Sequence, residues 1–279
     1  MAEKVKTLYS KPFTEAPCYV SGGVIPRSGI VLMGGQAKIG KTFLLLDLAH
    51  NLGHGGDLWR LDYKVVEPVP VLYFEQEVGE TEFQRRVKMR YDRLKERGVE
   101  PPENFFYVSK MKNFMLDTNE GQMRLTKEIK ATGAKVVIID PIGRCLLGDE
   151  NDNSVIGKFF HRLDQTILEH PGLTLVISHH FGKPPRQTDD FDPLDPYNFR
   201  GASKFFDAPD ALITLCPISP RPGEWKRIRG RMRLRQGEEP PGDFEILITN
   251  GGVVEKKREA PSMLDGPGLK GKSKGWGRD

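Results

Sequence analysis

The sequence has few of the features that mark exported or membrane-embedded proteins. It contains three cysteines (Cys18, Cys145 and Cys216), an odd and widely spaced set that argues for reduced thiols. No stretch approaches the ~18 consecutive apolar residues that a membrane-spanning helix needs. The opening segment, MAEKVKTLYSKPF, lacks the apolar centre of a secretory signal. These absences predict a cytoplasmic protein with no membrane partner.

An excess of charge of one sign is also missing. The 279 residues include 42 Lys or Arg and 38 Asp or Glu, and the resulting net charge of +4 cannot by itself identify a nucleic-acid-binding protein. The hydrophobic fraction of 38%, together with 30 glycines, lies in the range of globular proteins. Disorder along the whole chain and collagen-like repetition are therefore excluded.

The chain divides into three parts by composition. Residues 1–29 form a short arm, expected to pack on or bridge to a neighbouring subunit, with a frayed terminus as the alternative. Residues 30–254 alternate strand-like and helix-like segments and are predicted to form one domain. Residues 255–279 hold seven Lys or Arg against four Asp or Glu and few aliphatic residues. This basic tail is predicted to be disordered, either as a solvated end or as a weak phosphate-binding arm.

The middle part predicts an α/β fold with a mainly parallel sheet flanked by helices. Nearly continuous apolar runs, typical of strands covered on both faces, occur at residues 30–33, 71–74, 105–108, 136–139, 173–177 and 211–215. Helical patterns lie between them, among them residues 80–97 and residues 154–170, the latter with Ser154 as the expected N-cap. No helix separates residues 228–234 from 244–249, which predicts an antiparallel extension at the C-terminal edge of the sheet.

The strongest chemical signal is the segment GQAKIGKT at residues 35–42. It fits the pattern G-x-x-x-x-G-K-[ST] in full and lies between a predicted strand and a predicted helix at residues 42–51. Backbone amides of such a loop wrap a phosphate chain, the lysine reaches the β- and γ-phosphates, and the hydroxyl binds Mg²⁺. The sequence therefore predicts a site for ATP and Mg²⁺. The residues expected to bind nucleotide here are Gly35, Gln36, Ala37, Lys38, Ile39, Gly40, Lys41, Thr42 and Phe43.

A second anchor for Mg²⁺ follows another predicted strand. In KVVIID, four aliphatic residues lead to Asp140 at the carboxyl end of the strand, where open α/β sheets bind ligands. Thr42 and Asp140 are therefore the predicted metal residues, with Asp140 acting through a water. The alternative for Asp140 is a cap on the following turn.

Hydrolysis also needs a base that orients the attacking water. The segment VLYFEQE ends in two carboxylates, Glu75 and Glu77, which project to the same side if the strand continues past Phe74. We favour Glu77 as the base, partly because of the resemblance described below. The alternative for either residue is a surface acid near the following helix.

Two histidines follow the apolar run at residues 174–177. His179 and His180 end a strand at the same predicted sheet edge as the phosphate loop, and His180 is the expected sensor of the γ-phosphate. A structural histidine and a zinc site are the alternatives, although the sequence shows no other Cys or His nearby at ligand spacing.

Taken in order, these motifs resemble one family. The phosphate loop, the Glu75–Glu77 pair, Asp140 with the later GDEN, the segment SHHFGK and the turn RGAS at residues 200–203 are similar to the RepA-like branch of RecA-fold ATPases, which includes hexameric plasmid helicases. The likeness extends over about residues 18–250. The phosphate-loop motif is common to P-loop ATPases generally. The paired histidines and the RGAS turn are the features that make the resemblance specific to this branch.

The resemblance implies a homo-oligomeric ring, expected to be hexameric, with ATP sites between subunits. It implies that Glu77 is the catalytic glutamate, that Asp140 is the Walker B acid and that His180 links the γ-phosphate to DNA-binding loops. Arg200 matches an arginine finger donated by the neighbouring subunit, and a turn arginine is the alternative. Arg233 and Arg235 match a Lys-x-Arg element near the nucleotide, with Arg in place of Lys at position 233.

The sequence is less clear about nucleic acid. Residues 221–235 contain seven basic residues and one acid, and alternation places Arg227, Arg229, Arg231, Arg233 and Arg235 on one face of a strand. That face could meet phosphates, or it could be a solvated edge that blocks aggregation. The long loop at residues 182–199 carries four aspartates against Lys183 and Arg186, a poor composition for contact with a DNA backbone.

Three functions remain open from the sequence. The first is an ATP-driven ring helicase or translocase acting on single-stranded DNA in plasmid or phage replication. The second is a RecA-fold ATPase that regulates or assembles other proteins without unwinding DNA. The third is a nucleotide-gated interaction module without catalysis, and the presence of Glu77, Asp140 and His180 argues against it.

Overall fold

The apolar runs of the sequence form the strands of one central sheet and two small sheets. The computed structural model describes residues 3–12, 17–182, 191–220, 224–235 and 242–255. Within those ranges the strands are β1 (Cys18–Val20), β2 (Ile25–Pro26), β3 (Gly29–Gly35), β4 (Asp57–Leu58), β5 (Tyr63–Lys64), β6 (Val71–Glu75), β7 (Phe105–Ser109), β8 (Val136–Asp140), β9 (Thr174–His180), β10 (Ala211–Ile218), β11 (Lys226–Leu234), β12 (Phe244–Ile248) and β13 (Val254–Glu255).

The central sheet has nine strands in the order β13-β12-β11-β10-β3-β9-β8-β6-β7. From β10 to β7 all neighbours run parallel, whereas β10–β11, β11–β12 and β12–β13 are antiparallel. Parallel strands joined by helical crossovers are buried on both faces, which explains their continuous apolar sequences. The predicted fold class, including the antiparallel edge extension, is confirmed.

Helices connect the parallel strands, except the first helix, which precedes β1. They are α1 (Val5–Tyr9), α2 (Lys41–His54), α3 (Glu80–Lys95), α4 (Asn119–Thr132), α5 (Asn153–Glu169) and α6 (Lys204–Asp207). The expected Ser154 cap is wrong, because the side chain of Asp152 accepts hydrogen bonds from the amides of Ser154 and Val155 and α5 begins at Asn153. No sequence pattern predicted α4, which is capped by Thr118 at its start and by the left-handed Gly133 at its end.

Alternate residues of the strands supply two cores on opposite faces of the sheet. Val31 and Met33 pack in the core that includes α2 and Phe83 of α3. Ile30 and Leu32 pack on the other face with residues of α4 and α5. This two-residue period holds the sheet between two helical layers and fixes the positions of its strand ends.

Part of the predicted arm packs against the domain. In the segment spanning β1 and β2, Tyr19, Val20, Val24 and Ile25 are buried in the core shared with α2. All five residues of α1 are exposed, with Leu8 at 63% and Tyr9 at 88% relative exposure. Residues 256–279 of the predicted tail lie outside the described residues. Within the described ranges, no helix is both long and apolar enough to cross a membrane.

A buried ion pair joins α2 to α3. Asp47 and Arg90 are both fully buried, and Arg90 Nη2 donates to Asp47 Oδ1 at 2.7 Å. Arg90 Nη1 also donates to the carbonyl of Gly252, and Asn51 Nδ2 donates to Asp47 Oδ2 at 2.8 Å. The pair therefore connects two helices with the C-terminal edge of the sheet.

Removing one member of this pair should leave an unpaired charge in the core. We expect Asp47→Ala to lower the free energy of unfolding by ~3–5 kcal/mol, because the Arg90 guanidinium loses its partner without reaching water. The double variant Asp47→Leu/Arg90→Met should regain most of that stability. Urea unfolding followed by circular dichroism measures both. A loss below ~1 kcal/mol in Asp47→Ala, the value of an exposed pair, would contradict the assignment.

Candidate active site

Four neighbouring strands bring the predicted catalytic residues to one edge of the sheet. In the order β3-β9-β8-β6, they end in the phosphate loop, the paired histidines, Asp140 and Glu75. Gly35 lies opposite His180 and Glu75 lies opposite Asp140 in the parallel register. Because parallel strands point the same way, Gly35 and His180 lie side by side although they are 145 positions apart in sequence. This edge is where open α/β sheets bind ligands.

The phosphate loop connects β3 to α2 through a turn that requires glycine. Gly40 immediately precedes α2 and has φ 115°, a backbone conformation that L side chains rarely adopt. A Cβ at Gly40 would also lie 2.8 Å from Ile248. The first amides of α2 therefore face the space enclosed by the loop, which is the arrangement that binds phosphate at a helix N-terminus.

Lys41 lies inside this loop. Its Nζ donates to the carbonyls of Gly35 at 2.8 Å and Gln36 at 3.0 Å, and it lies 3.3 Å from His180 Nδ1. Burial lowers the pKa of Lys41 to about 8, while Asp140 and Glu77 act in the opposite direction. Lys41 is thus a charged ammonium at neutral pH that water solvates poorly, so an anion in the loop would stabilise it.

The carboxylate of Asp140 is held by three hydroxyl groups. Thr42 donates to Oδ2 at 2.9 Å, Tyr73 donates to Oδ2 at 2.7 Å, and Ser178 donates to Oδ1 at 2.5 Å. Asp140 is buried, and burial followed by the charge of Asp140 raises the pKa of Tyr73 well above its ordinary value. These contacts from β6, β9 and the start of α2 fix the direction of the carboxylate. Tyr73 and Ser178 were not predicted, although both sit on strands that the sequence identified.

Thr42 and Asp140 fit a magnesium site. A hydroxyl and a carboxylate oxygen 2.9 Å apart are hard oxygen donors, and Mg²⁺ is bound in such sites by one or two protein groups together with substrate phosphates. Among the described residues, no group of three or more His, Cys, Asp or Glu side chains is placed to hold a metal by itself. The zinc alternative for the histidines therefore has no support in that part of the chain.

The structure separates the two candidate glutamates. Glu75 accepts hydrogen bonds from the amides of Glu77, Val78 and Gly79 and from the Ser109 hydroxyl, so its buried carboxylate organises the turn that leads into α3. The strand ends at Glu75, and the expectation that Glu75 and Glu77 share one side of a continuing strand is wrong. Glu77 instead lines the cavity beside Lys41 and Asp140.

The two histidines have different surroundings. His179 is buried, and its Nε2 lies 2.7 Å from the carbonyl oxygen of Arg200. Burial lowers the pKa of His179 to about 4, so it is neutral near pH 7. Burial, followed by the charge of Lys41, also lowers the pKa of His180. A neutral His180 beside Lys41 has one ring nitrogen that can donate a hydrogen bond to a phosphate oxygen and one that can accept a hydrogen bond.

Arg200 lies at the turn after β9, next to both histidines. Its amide donates to the carbonyl of His180 at 3.1 Å, and its side chain, 63% exposed, forms an ion pair with Glu150. Arg200 lines a cavity of about 340 Å³ together with Glu77 and His180 of the same subunit. Arg200 was predicted to act on the ATP site of a neighbouring subunit. Its placement allows a second possibility, which is that it acts on the site of its own chain.

A larger cavity of about 570 Å³ covers the phosphate loop. Its lining includes residues that sequence reasoning missed, notably Arg86, Trp225 and Lys226. Lys226 Nζ donates to the carbonyl of Lys38 at 2.7 Å, which ties the first residue of β11 to the loop. The antiparallel pairing of β11 with β10 explains this contact, and no local sequence pattern reveals it.

The arginines of β11 are largely paired within the chain. Arg227 pairs with Glu245, Arg229 with Asp243, and Arg231 with Asp243 and Asp192. The predicted alternation is confirmed, since Ile228 and Met232 on the opposite face are buried. The pairing reduces the net positive charge of this face. It also gives Asp192, one of the four loop aspartates, a structural partner.

Arg233 and Arg235 lie toward the end of β11 that is away from the phosphate loop. Arg233 pairs in register with Leu212, which lies beside Leu32, the central residue of β3. Arg235 donates its amide to the carbonyl of Asp210 at 2.8 Å. Among the described residues that line the cavity over the phosphate loop, neither arginine is present. Of the predicted nucleic-acid loop, Lys183, Arg186, Asp189 and Asp190 lie outside the described residues.

The lowered pKa of Lys41 predicts a pH dependence of nucleotide binding. As the pH rises through about 8, the free protein loses the Lys41 charge, and we expect its affinity for ATP to fall. Titration with a fluorescent ATP analogue at constant ionic strength measures this, with Lys41→Met as the control that should lack the transition. An affinity of the native chain that stays constant across this range would contradict the role of Lys41.

Comparisons with known proteins identify the fold and the family of the chain. No curated protein matches the sequence. A solved structure of a KaiC-like protein from the archaeon Pyrococcus horikoshii OT3 is similar, with a TM-score of 0.56 and 16% identity over 86% of this chain and 96% of that chain. At that identity the likeness shows the fold alone, a RecA-like core. The AAA domain family matches residues 3–186, most of the chain. The chain therefore belongs to the AAA domain family of P-loop ATPases.

Proposed function

We propose that the protein hydrolyses ATP with Mg²⁺ at the edge formed by β3, β9, β8 and β6. The observation that carries this proposal is the convergence of Lys41, Thr42, Glu77 and Asp140 on one cavity of about 570 Å³. Residues of the P-loop, a strand-end aspartate and a second acid are the parts that phosphoryl transfer to water requires. The proposed ligands are ATP and Mg²⁺.

Each residue has a separate task in this proposal. The amides of residues 35–43 and the Lys41 ammonium hold the phosphate chain, and Thr42 with Asp140 holds Mg²⁺, which neutralises charge on the phosphates when bound. Glu77 accepts the proton of the attacking water. Glu75 is excluded from that task because its carboxylate already accepts three backbone amides and a hydroxyl.

His180 and Arg200 complete the proposed site. His180 Nδ1 lies 3.3 Å from Lys41 Nζ, so it is within reach of a γ-phosphate that Lys41 contacts. The carbonyl of His180 accepts the Arg200 amide, and this bond connects the sensor directly to the turn that carries the arginine. Arg200 stabilises charge on the transferring phosphoryl group, a contribution worth roughly 10³–10⁵ in rate where it has been measured in related chemistry.

We further propose that the chain acts as a ring-forming motor on single-stranded DNA, as the resemblance to RepA-like helicases implies. The ring is expected to be hexameric, with ATP sites between subunits. The resemblance implies that Arg233 and Arg235 contact nucleotide, and their place at the end of β11 away from the phosphate loop of their own chain is compatible with a site in a neighbouring subunit. The arm at residues 1–29, the domain at 30–254 and the basic tail at 255–279 are the proposed parts of such a subunit.

A second candidate is an ATPase that regulates or assembles proteins without unwinding DNA. One observation favours it: three arginines of β11 are neutralised by Glu245, Asp243 and Asp192, which reduces the charge that this face offers to a DNA backbone. The two functions share the ATPase site and differ in what stimulates it.

ATP turnover with and without single-stranded DNA separates these functions. For a motor on DNA, we expect DNA to raise the rate of phosphate release several-fold, and the gain should shrink from low to moderate salt because phosphate contacts release counterions. Lys41→Ala should abolish turnover under both conditions. Turnover that is indifferent to DNA would favour the protein-directed ATPase, and binding of ATP without any phosphate release would contradict both.

A further inference from the structure

The proposed catalytic arginine is held by a second segment of the chain. Gly148, Asp149, Glu150 and Asn151 follow β8 and the strand-end Asp140, and this segment lies against the turn at residues 200–203. The side chain of Glu150 is only 17% exposed, whereas that of Arg200 is 63% exposed. The two side chains form an ion pair and line the same cavity of about 340 Å³ as Glu77 and His180.

Backbone contacts fix the turn independently of that ion pair. The amide of Ala202 donates to the carbonyl of Glu150 at 2.8 Å, and Gly201 has φ 98°. A Cβ at Gly201 would lie 2.5 Å from the same carbonyl oxygen, so only glycine fits there. On the other side, Arg200 donates its amide to His180 and its carbonyl lies 2.7 Å from His179 Nε2.

Asn153 adds a further contact from the start of α5. Its Oδ1 accepts from the Ser203 hydroxyl and from the Lys204 amide, each at 3.2 Å. The Cα position of Arg200 is therefore set by main-chain and Asn153 contacts. The carboxylate of Glu150 is left with one evident task, which is to direct the guanidinium.

The atom that Glu150 contacts indicates how it does so. The ion pair runs from Arg200 Nε to Glu150 Oε1. Oε1 accepts no hydrogen bond from the described residues, so the contact is one between opposite charges. A guanidinium carries five N–H groups, and a carboxylate beside Nε leaves those of the two Nη groups free to face a phosphate. A long exposed arginine otherwise samples many rotamers, and fixing one lowers the entropic cost of reaching the transition state.

We infer that Glu150 is a positioning residue, which orients the Arg200 guanidinium toward the transferring phosphoryl group. This inference rests on the proposed ATPase function and on the role of Arg200 in it. It applies equally whether Arg200 serves its own subunit or a neighbouring one, since the Glu150 contact is internal to the chain. Because the arginine of this ion pair is largely exposed, the pair contributes little to stability, so its effect should appear in catalysis.

The test compares the full-length Glu150→Ala, Glu150→Gln, Arg200→Ala and Glu150→Ala/Arg200→Ala variants. We expect Glu150→Ala to lower kcat roughly 10- to 100-fold, the scale of a misplaced catalytic group, with unchanged affinity for a fluorescent ATP analogue. Glu150→Gln should lose activity to a similar extent, because the contact is between opposite charges and the glutamine amide carries none. The double variant should be no slower than Arg200→Ala alone, since the two residues act as one unit.

Asp149→Asn is the matched control. Asp149 is the adjacent exposed acid, and its carboxylate accepts from the amide and the side chain of Asn151, contacts that an asparagine oxygen can preserve. It removes the same charge from the same segment and should leave kcat unchanged. Thermal unfolding of every variant checks that the fold is retained.

Different failures have different meanings. Loss of activity in Arg200→Ala with an unaffected or faster Glu150→Ala would overturn the inference and leave the proposed function intact. Multiplying effects in the double variant would also overturn it, because independent contributions multiply. Full activity in Arg200→Ala would remove the arginine from the mechanism and the inference with it. Absence of phosphate release by the native chain would refute the ATPase proposal itself.

Discussion

The structure depends on the parallel alignment of β3, β9, β8 and β6, whose carboxyl ends lie at one edge. The register places Gly35 beside His180 and Glu75 beside Asp140, so four distant segments of the chain become one site. Cores on both faces fix those strands, and the Asp140 carboxylate then gathers hydroxyls from Thr42, Tyr73 and Ser178. A displaced strand would remove a donor from Asp140 as well as a residue from the site.

Electrostatics follow from that arrangement. Lys41 is brought into a buried position beside His180, and burial lowers the pKa of both groups. A poorly solvated ammonium, a neutral histidine and an aspartate held by hydroxyl donors favour a ligand that carries both phosphate and Mg²⁺. The same edge continues into the turn with Arg200, whose amide is bonded to His180, so a change at the phosphate has a short covalent and hydrogen-bonded route to the arginine.

The sequence predicted most of the strands of the fold and several residues of the candidate site. The apolar strands and the phosphate loop are local patterns, and strand ends in a parallel sheet must meet, which is why Asp140 and His180 were identified. Residues whose role depends on partners far away in the sequence could not be identified in this way. The sequence could not show that the Glu75 carboxylate accepts hydrogen bonds from three backbone amides, or that Asp152 and not Ser154 caps α5. It also could not show that Glu245 on β12 and Asp192 in the loop form ion pairs with arginines of β11. The 14-residue α4 was missed because few of its residues are apolar, so its buried face with Leu125 and Ile129 gives only a weak periodic signal.

The most direct test of this account compares the two neighbouring glutamates in single-turnover ATP hydrolysis. Glu77→Gln should slow phosphate release by roughly 10²–10⁴-fold, the contribution of a general base, while binding of a fluorescent ATP analogue persists. Glu75→Gln should keep measurable turnover, because its carboxylate is committed to the turn before α3. Phosphate release by Glu77→Gln at the native rate, with Glu75→Gln inactive but folded, would contradict the assignment of the base and with it the proposed mechanism.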